Sequence, residues 1–320
     1  MSAVGVVKPC REKEPLMQID LPEPSGVDTQ HWPLAAQGDW ELPVVGEEGS
    51  WPKISIVTPS YNQAAFLEKT IRSVLLQGYP NLEYIIIDGG STDGSIDIIK
   101  RYERWISFWA SEPDRGQSHA INKGFIKATG DLLGWLNSDD FYLPGALFRI
   151  AEAYLEKRSV GAVYGQGHLI DEQDEVVFEP SLPQVSEQNL FEWFSGGAEF
   201  MQPSCLFSKQ AWSQCGPLSE ELDFAMDLDL WVKIAKSFEF RKIEDLLSMS
   251  YKHDQAKTTQ HKELSRIDVA IVYAMHGNVK QARKELAKLL EKLNDCRQEI
   301  NFINSLPLVW RIIRFFKNKR

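Results

Sequence analysis

Short apolar runs alternate with helix-forming stretches after residue 52. Four such runs lie at 54–58, 83–87, 108–110 and 132–136. Runs of this length are typical of buried strands in a parallel sheet. Between them, helices are predicted at 64–77, 95–105 and 118–129. The alternation predicts right-handed crossovers and an α/β fold, with a mostly parallel sheet sandwiched by helices.

The pattern changes after Pro144. Two further helices are predicted at 145–157 and 224–238. Short strands are predicted at 160–164, 167–170, 175–178 and 240–249. Residues 191–208 show no clean period and contain Gly196, Gly197 and Pro203, which favours a loop and short strand around a pocket. This part is expected to form a smaller, mixed acceptor-side portion.

Both ends of the chain differ from the middle. Residues 1–52 are rich in proline and acidic residues, which predicts a partly disordered extension. Tryptophan is costly to leave in water, so the later part of the extension, with Trp32, Trp40 and Trp51, is expected along the domain surface. Residues 262–301 are helix-forming, and Gly277 is expected to divide them into two helices. The predicted domains are 1–52, 53–260 (halves 53–145 and 146–260) and 261–320.

The last segment, Leu306–Arg320, has a basic side and an aromatic, apolar side. A helix of this kind suits the surface of an anionic membrane. It equally suits a helix that packs on the domain or on a second subunit. Elsewhere, no run reaches the roughly 18 apolar residues that a spanning helix needs.

Composition narrows the function. The formal net charge of −10 argues against nucleic acid as the main partner, because phosphate binding needs a basic surface. The four cysteines show no Cys-x-x-Cys spacing, so a zinc site or disulfide framework is not expected. We expect reduced thiols in a cytoplasmic protein, at the inner face of the membrane if the tail binds lipid.

Acidic residues follow the predicted strands at their carboxyl ends. Asp88 ends the run at 83–87, and Asp139 and Asp140 follow the run at 132–136. Ligands bind at this edge of open α/β sheets. Three carboxylates there repel one another unless a cation or hydrogen-bond donors compensate. A nucleotide with a bound metal ion would supply such compensation.

Five blocks of sequence occur in order over some ninety residues: Val57–Asn62, Asp88–Ser95, Asp114–Gly116, Ala120–Gly124 and Asn137–Asp140. Together they resemble the donor half of the family 2 glycosyltransferases, which have the Rossmann-like GT-A fold. Met226–Trp231 resembles the acceptor-side helix of that family. The resemblance covers roughly residues 53–255 and leaves both ends unassigned.

The resemblance implies a nucleotide-sugar site. The aspartate equivalent to Asp88 holds the base in this family, usually uracil, and Tyr61 is placed to stack on it or flank it. Asp114 and Asn122 are expected as further nucleotide or sugar contacts. Asp93 fits either a ligand role or a helix N-cap.

The resemblance also implies a divalent metal ion, Mg²⁺ or Mn²⁺. Asp139 and Asp140 match the acidic metal-binding motif, although Asn137 stands where a first aspartate is common. Asp140 is expected as the direct ligand, Asp139 as a nucleotide-sugar contact, and His253 as a residue that helps hold the metal or the diphosphate. Hard oxygen ligands suit such an ion, which offsets charge on a departing diphosphate.

Asp227 matches the position of the general base. An inverting transfer needs one carboxylate that takes the proton from the acceptor hydroxyl as it attacks the anomeric carbon. Met226 stands where the family often has a glutamate. Asp229 is expected on another side of the helix, and Asp223 is a more distant competitor. Three further residues border the acceptor pocket or serve the fold: Glu199, Gln202 and Trp231.

The expected function is therefore metal-dependent, inverting transfer of a sugar from a nucleotide-sugar, most simply a UDP-sugar, to a glycan or lipid-linked glycan. A sugar nucleotidyltransferase would need a glycine-rich, basic loop after the first strand, and Thr58–Asn62 is neither. An NAD-dependent enzyme would need Gly-x-Gly-x-x-Gly. An inactive carbohydrate-binding protein is disfavoured by the retained Asp88, Asp140 and Asp227.

Overall fold

The computed structural model describes residues 20–24, 33, 51–193, 200–253 and 257–305. Nine strands lie in these residues: β1 Ile54–Ser60, β2 Leu82–Asp88, β3 Phe108–Ser111, β4 Leu132–Trp135, β5 Asp140–Tyr142, β6 Ala162–Ile170, β7 Val176–Phe178, β8 Cys205–Ser208 and β9 Phe240–Tyr251. The α-helices are α1 Ala64–Leu75, α2 Ser95–Tyr102, α3 Gln117–Lys127, α4 Ala146–Glu156, α5 Glu187–Leu190, α6 Lys209–Cys215, α7 Met226–Ser237, α8 Lys257–Gln260, α9 Lys262–Met275 and α10 Val279–Ser305.

All nine strands belong to one sheet in the order β3-β2-β1-β4-β8-β6-β9-β5, with β7 on β6. The pairs within β3-β2-β1-β4 are parallel, as the alternating sequence pattern predicts. In the second half, β6 and β9 run parallel, whereas β8, β5 and β7 pair antiparallel with their neighbours. The expected α/β fold with a mixed second portion is therefore confirmed.

Alternation of side chains along the central strands creates a core on each face of the sheet. Ile54 and Ile56 of β1 pack on one face with Leu67 of α1 and Leu147 of α4. Val57 points to the other face, where α3 and α7 pack. A Cβ on Gly124 of α3 would lie 2.4 Å from Cγ1 of Val57, so α3 can approach β1 this closely only with glycine there.

The described part of the N-terminal extension lies against the domain. Arg72 of α1 is buried, and it donates hydrogen bonds to the carbonyl oxygens of Pro33 (3.1 Å) and Pro22 (2.8 Å). Trp51 packs edge-on against Phe148, with ring centroids 5.2 Å apart. The expectation for Trp51 is met, whereas Trp32 and Trp40 lie outside the described residues.

Several predicted boundaries change. The strands predicted at 160–164 and 167–170 form one strand, β6, because its pairing with β9 continues across a shift of register near Gln166. The short strand expected within 191–208 is β8, and helix α6, which the pattern does not predict, follows it directly. At the start of α6 the Ser208 hydroxyl accepts a hydrogen bond from the Ala211 amide. Gly277, at φ +86°, separates α9 from α10 as expected. The tail Leu306–Arg320 lies outside the described residues.

Within the described ranges, no helix combines the length and the apolar character needed to cross a membrane.

Candidate active site

A cavity of about 530 Å³ opens where the carboxyl ends of β1 and β4 face the start of α7. Five of the residues expected as catalytic, nucleotide-sugar or metal contacts line it: Tyr61, Asp114, Asp139, Asp140 and Asp227. The fold therefore brings together side chains from positions 61 to 227 of the chain.

Asp88 lies beneath this cavity rather than in it. Its carboxylate is fully buried and accepts hydrogen bonds from the amides of Gly90 and Ser91 and from the hydroxyls of Ser91 and Ser111. These donors belong to its own loop and to β3, so they compensate the buried charge without a ligand. Asp88 thus shapes the loop after β2, and it is not among the residues that line the cavity.

Asp114 occupies the space above Gly89, the residue that follows Asp88. A Cβ on Gly89 would lie 2.7 Å from Oδ2 of Asp114 and 3.3 Å from Cδ2 of Tyr61. Oδ1 of Asp114 accepts a hydrogen bond from the Gly116 amide at 2.9 Å. The carboxylate is therefore fixed beside the largely exposed ring of Tyr61 because position 89 has no side chain.

Asp139 lines the cavity and contacts His253, which does not line it. Nε2 of His253 lies 3.1 Å from Oδ2 of Asp139. The imidazole is buried against Phe66, with ring centroids 4.5 Å apart, and it follows strand β9. Thr70 fixes the opposite side of the Asp139 loop by donating to the carbonyl oxygens of Ser138 and Asp140.

Asp140 turns inward from the same loop. It is buried at the start of β5, and its Oδ2 accepts a hydrogen bond from Nδ2 of Asn137 at 3.0 Å. Burial and the adjacent charge of Asp139 raise the pKa of Asp140 well above its usual value, and hydrogen bonds from Ser250 and Asn137 offset only part of this. Asn137 in turn accepts from Gln117 at 2.7 Å.

The side chains of Asp139 and His253 fit a divalent cation whose other ligands include the phosphates of the substrate. Ligands in neighbouring positions of an octahedral ion with bonds of about 2.1 Å are about 3 Å apart, and Asp139 and His253 present an oxygen and a nitrogen at 3.1 Å. In the described part of the chain, no three His, Cys, Asp or Glu side chains converge into a metal cage. Mg²⁺ commonly binds through one or two carboxylates together with substrate phosphates.

Asp227 stands in the first turn of α7, across the cavity. Its Oδ1 accepts a hydrogen bond from the Leu228 amide at 2.7 Å. Burial raises the pKa of Asp227 to about 6, because desolvation outweighs the backbone hydrogen bonds that lower it. A carboxylate with a pKa near the working pH suits a general base.

Residues further along α7 anchor the helix that carries Asp227. Asp229 is buried and bonded by His276 of the α9–α10 junction (2.8 Å) and Lys233 (2.6 Å). Burial alone would raise the pKa of Asp229, but these hydrogen bonds and charges hold it below its usual value. Trp231 is buried and stacks on Trp135 at 5.7 Å, so it belongs to the core and does not line the cavity. Both residues hold α7 in place.

The remaining wall is partly aromatic. Trp193, Phe200 and Phe224 line it, together with Gln202, which donates to the Trp135 carbonyl at 2.9 Å. Gln202 was expected there, whereas the three aromatics were not: Trp193 and Phe200 come from a segment without a clear period, and Phe224 begins the helix predicted at 224–238. Glu199 lies outside the described residues.

Several other polar residues of the motifs hold the fold. Asn122 uses both ends of its amide on the backbone of Leu218, at 2.9 Å each, and does not line the cavity. Asp93 accepts from the amides of Ala64 and Ser95, the first residues of α1 and α2, and so links the starts of the two helices. Arg115 forms a two-pronged ion pair with Glu220.

Comparison with known proteins identifies the class of protein. Residues 55–211 match the sequence pattern of glycosyl transferase family 2, which assigns this part of the chain to that family. An uncharacterized glycosyltransferase of Rickettsia typhi is 30% identical over 218 residues, which cover 65% of this chain and 66% of that protein. The chain spans less than half the length of other curated relatives that it matches, 43% in one case and 46% in two.

Solved structures share the fold, which is GT-A. TarS 1–349 of S. aureus in complex with UDP superposes with a TM-score of 0.54 at 18% identity, over 81% of this chain and 77% of that one. The mannosyltransferase PcManGT from Pyrobaculum calidifontis, in complex with GDP-Man and Mn²⁺, gives 0.50 at 18% identity over 86% of both chains. The expected family and fold are both confirmed.

Proposed function

We propose that this chain is a metal-dependent, inverting glycosyltransferase that uses a nucleotide-sugar donor. The observation that carries the proposal is one cavity lined by Tyr61, Asp114, Asp139 and Asp227, with the buried His253 in contact with Asp139. Tyr61 and Asp114 would hold the base. Uracil and guanine both carry a ring N–H that a carboxylate accepts, and we propose a UDP-sugar first.

The metal site is proposed at Asp139 and His253. A Mg²⁺ or Mn²⁺ ion bound there would stabilise the charge of the diphosphate leaving group. This assignment exchanges the roles that the family resemblance implied, because the contact with His253 is made by Asp139. Asp140 would instead hold the loop through Asn137 and β9.

Asp227 is proposed as the general base. Its carboxylate would accept the proton of the acceptor hydroxyl while that oxygen forms a bond to the anomeric carbon. The bond from this carbon to the diphosphate oxygen breaks on the opposite side, so configuration inverts. Asp223 is a weaker candidate, because it is exposed and bonded to Lys257 (3.4 Å).

The acceptor is proposed to be a hydroxyl of a glycan or lipid-linked glycan of the kind used in surface polysaccharides. A peripheral membrane contact through Leu306–Arg320, at the cytoplasmic face, belongs to this proposal. Full-length protein should sediment with liposomes containing anionic lipid, whereas protein that lacks 306–320 should not. Equal sedimentation of both would remove the tail from the proposal.

The test of the function separates chemistry from binding. Asp227→Asn should lower the release of nucleoside diphosphate from the donor by a factor of about 10² or more, while calorimetry shows unchanged nucleotide affinity. Asp97→Asn, at an exposed carboxylate of α2 that does not line the cavity, is the matched control. Full turnover by Asp227→Asn would remove Asp227 as the base.

A further inference from the structure

The cavity is strongly acidic. Among the described residues that line it, five carry carboxylates: Asp114, Asp139, Asp140, Asp223 and Asp227. The only ammonium or guanidinium group among them is that of Lys257. Its Nζ donates to the carbonyl oxygen of Asp223 at 2.8 Å and lies 3.4 Å from the Asp223 carboxylate. The one cation of the lining is therefore already paired.

Nearby basic residues face elsewhere. Arg115 is bonded to Glu220 and Lys123 to Glu112, and neither side chain lines the cavity.

The charges of a bound donor would not reverse this balance. A divalent cation at Asp139 would be offset by the two negative charges of the diphosphate. The sugar would then lie between that site and Asp227, in the part of the cavity that Asp223, Trp193 and Phe224 also line. A carboxylate on the sugar would find like charges and no unpaired ammonium or guanidinium in the described lining.

We infer that the sugar transferred at this site carries no carboxylate: it is a neutral hexose or an amino sugar, and not a uronic or sialic acid. This inference rests on the proposed function. Repulsion between two carboxylates about 6 Å apart, at an effective dielectric constant of about 40, corresponds to roughly a tenfold loss of affinity. An amine or acetamido group suffers no such repulsion.

Matched donors test the inference directly. Affinities of UDP-glucose and UDP-glucuronate, UDP-galactose and UDP-galacturonate, and GDP-mannose and GDP-mannuronate would be measured by calorimetry with Mn²⁺. In whichever nucleotide series binds, the uronate should bind about tenfold more weakly than its hexose. The difference should shrink as salt rises. A uronate that binds as tightly as its hexose, or more tightly, would overturn the inference while leaving the proposed function intact.

A variant tests whether electrostatic repulsion causes the weaker binding of the uronate. Asp223→Asn removes the carboxylate that lies 3.4 Å from Nζ of Lys257 and leaves the backbone bond of this group in place. It should narrow the ratio between the affinities of hexose and uronate donors, whereas Asp97→Asn should leave that ratio unchanged. A ratio that does not move in Asp223→Asn would overturn the electrostatic explanation. Failure of every nucleotide, including UDP and GDP themselves, to bind would overturn the proposed function and this inference with it.

Discussion

Oδ2 of Asp139 lies 3.1 Å from Nε2 of His253, although the two residues are 114 positions apart in the chain. Strand β9 pairs with β5, and His253 follows the end of β9. It therefore lies beside the loop that carries Asp139. Asp140, the adjacent residue, turns to Asn137 instead. Two neighbouring carboxylates therefore have different environments, which suggests different roles.

Substitution of each carboxylate separates these roles. Asp139→Asn should weaken the Mn²⁺-dependent part of nucleotide binding by a factor of about ten or more, because a charged metal ligand becomes neutral. Asp140→Asn should weaken the Mn²⁺-dependent binding less, since Asp140 is buried and bonded to Asn137 instead of lying beside His253. Calorimetry of UDP with and without Mn²⁺ measures both. The opposite order of effects would return the direct ligand to Asp140.

Gly89→Ala should weaken nucleotide binding by about tenfold. The backbone of Gly89 is outside the left-handed region, but the added Cβ would lie 2.7 Å from Oδ2 of Asp114 and displace it. In an Asp114→Ala background the same change should have little further effect, because coupled sites are not additive. Additive losses in the double variant would show that Asp114 does not hold the nucleotide.

The activity should depend on the ionisation of Asp227. Its pKa of about 6 means that kcat/KM should fall about tenfold per pH unit below 6 and level off above it. Nucleotide affinity measured over the same range controls for loss of binding. A profile that stays flat from pH 5 to pH 7 would contradict a role for Asp227 as base.

The same raised pKa predicts a stability effect with a definite sign. Because the folded-state pKa of about 6 exceeds the ordinary value of 3.8, the contribution of Asp227 to stability is fully present below pH 3.8 and is lost as pH rises through 6. Asp227→Asn should therefore unfold at higher urea than wild type at pH 8, and the difference should vanish near pH 4. A variant less stable than wild type at pH 8 would contradict the burial argument.

Asp229 should matter for stability rather than for the chemistry. Asp229→Ala leaves His276 and Lys233 without their buried partner and should lower the free energy of unfolding by about 3 kcal/mol. Urea denaturation measures this loss, with Asp97→Asn as the control. If the folded fraction of the variant loses activity without any loss of stability, Asp229 takes part in the reaction.

The sequence predicted the donor half well because its signals are local. Strands β1, β2 and β4 are short apolar runs that end in polar residues, and Asp93 has the spacing of a helix cap. Asn122 shows where such local signals fail to predict the role of a side chain. Its motif indicated a ligand contact, but both ends of its amide bond to Leu218, 96 residues away.

The assignment of Asp139 and Asp140 could not be made from sequence for a related reason. Asp139 lies in a turn and Asp140 begins β5, so the two side chains point in different directions, and the pairing of β5 with β9 decides which one meets His253. The sequence did not reveal the aromatic wall because Trp193 and Phe200 come from a segment without periodicity, and because the pattern predicts Phe224 inside a helix that begins only at Met226 in the structure.

The most direct test of the central claim is release of nucleoside diphosphate from a panel of UDP- and GDP-sugars by the full-length protein, with Mn²⁺ and with EDTA. The account predicts turnover of at least one neutral or amino sugar donor with Mn²⁺, loss of that turnover in EDTA, and loss in Asp139→Asn and Asp227→Asn. Turnover that persists undiminished in EDTA and in both variants would contradict the site described for Asp139, His253 and Asp227.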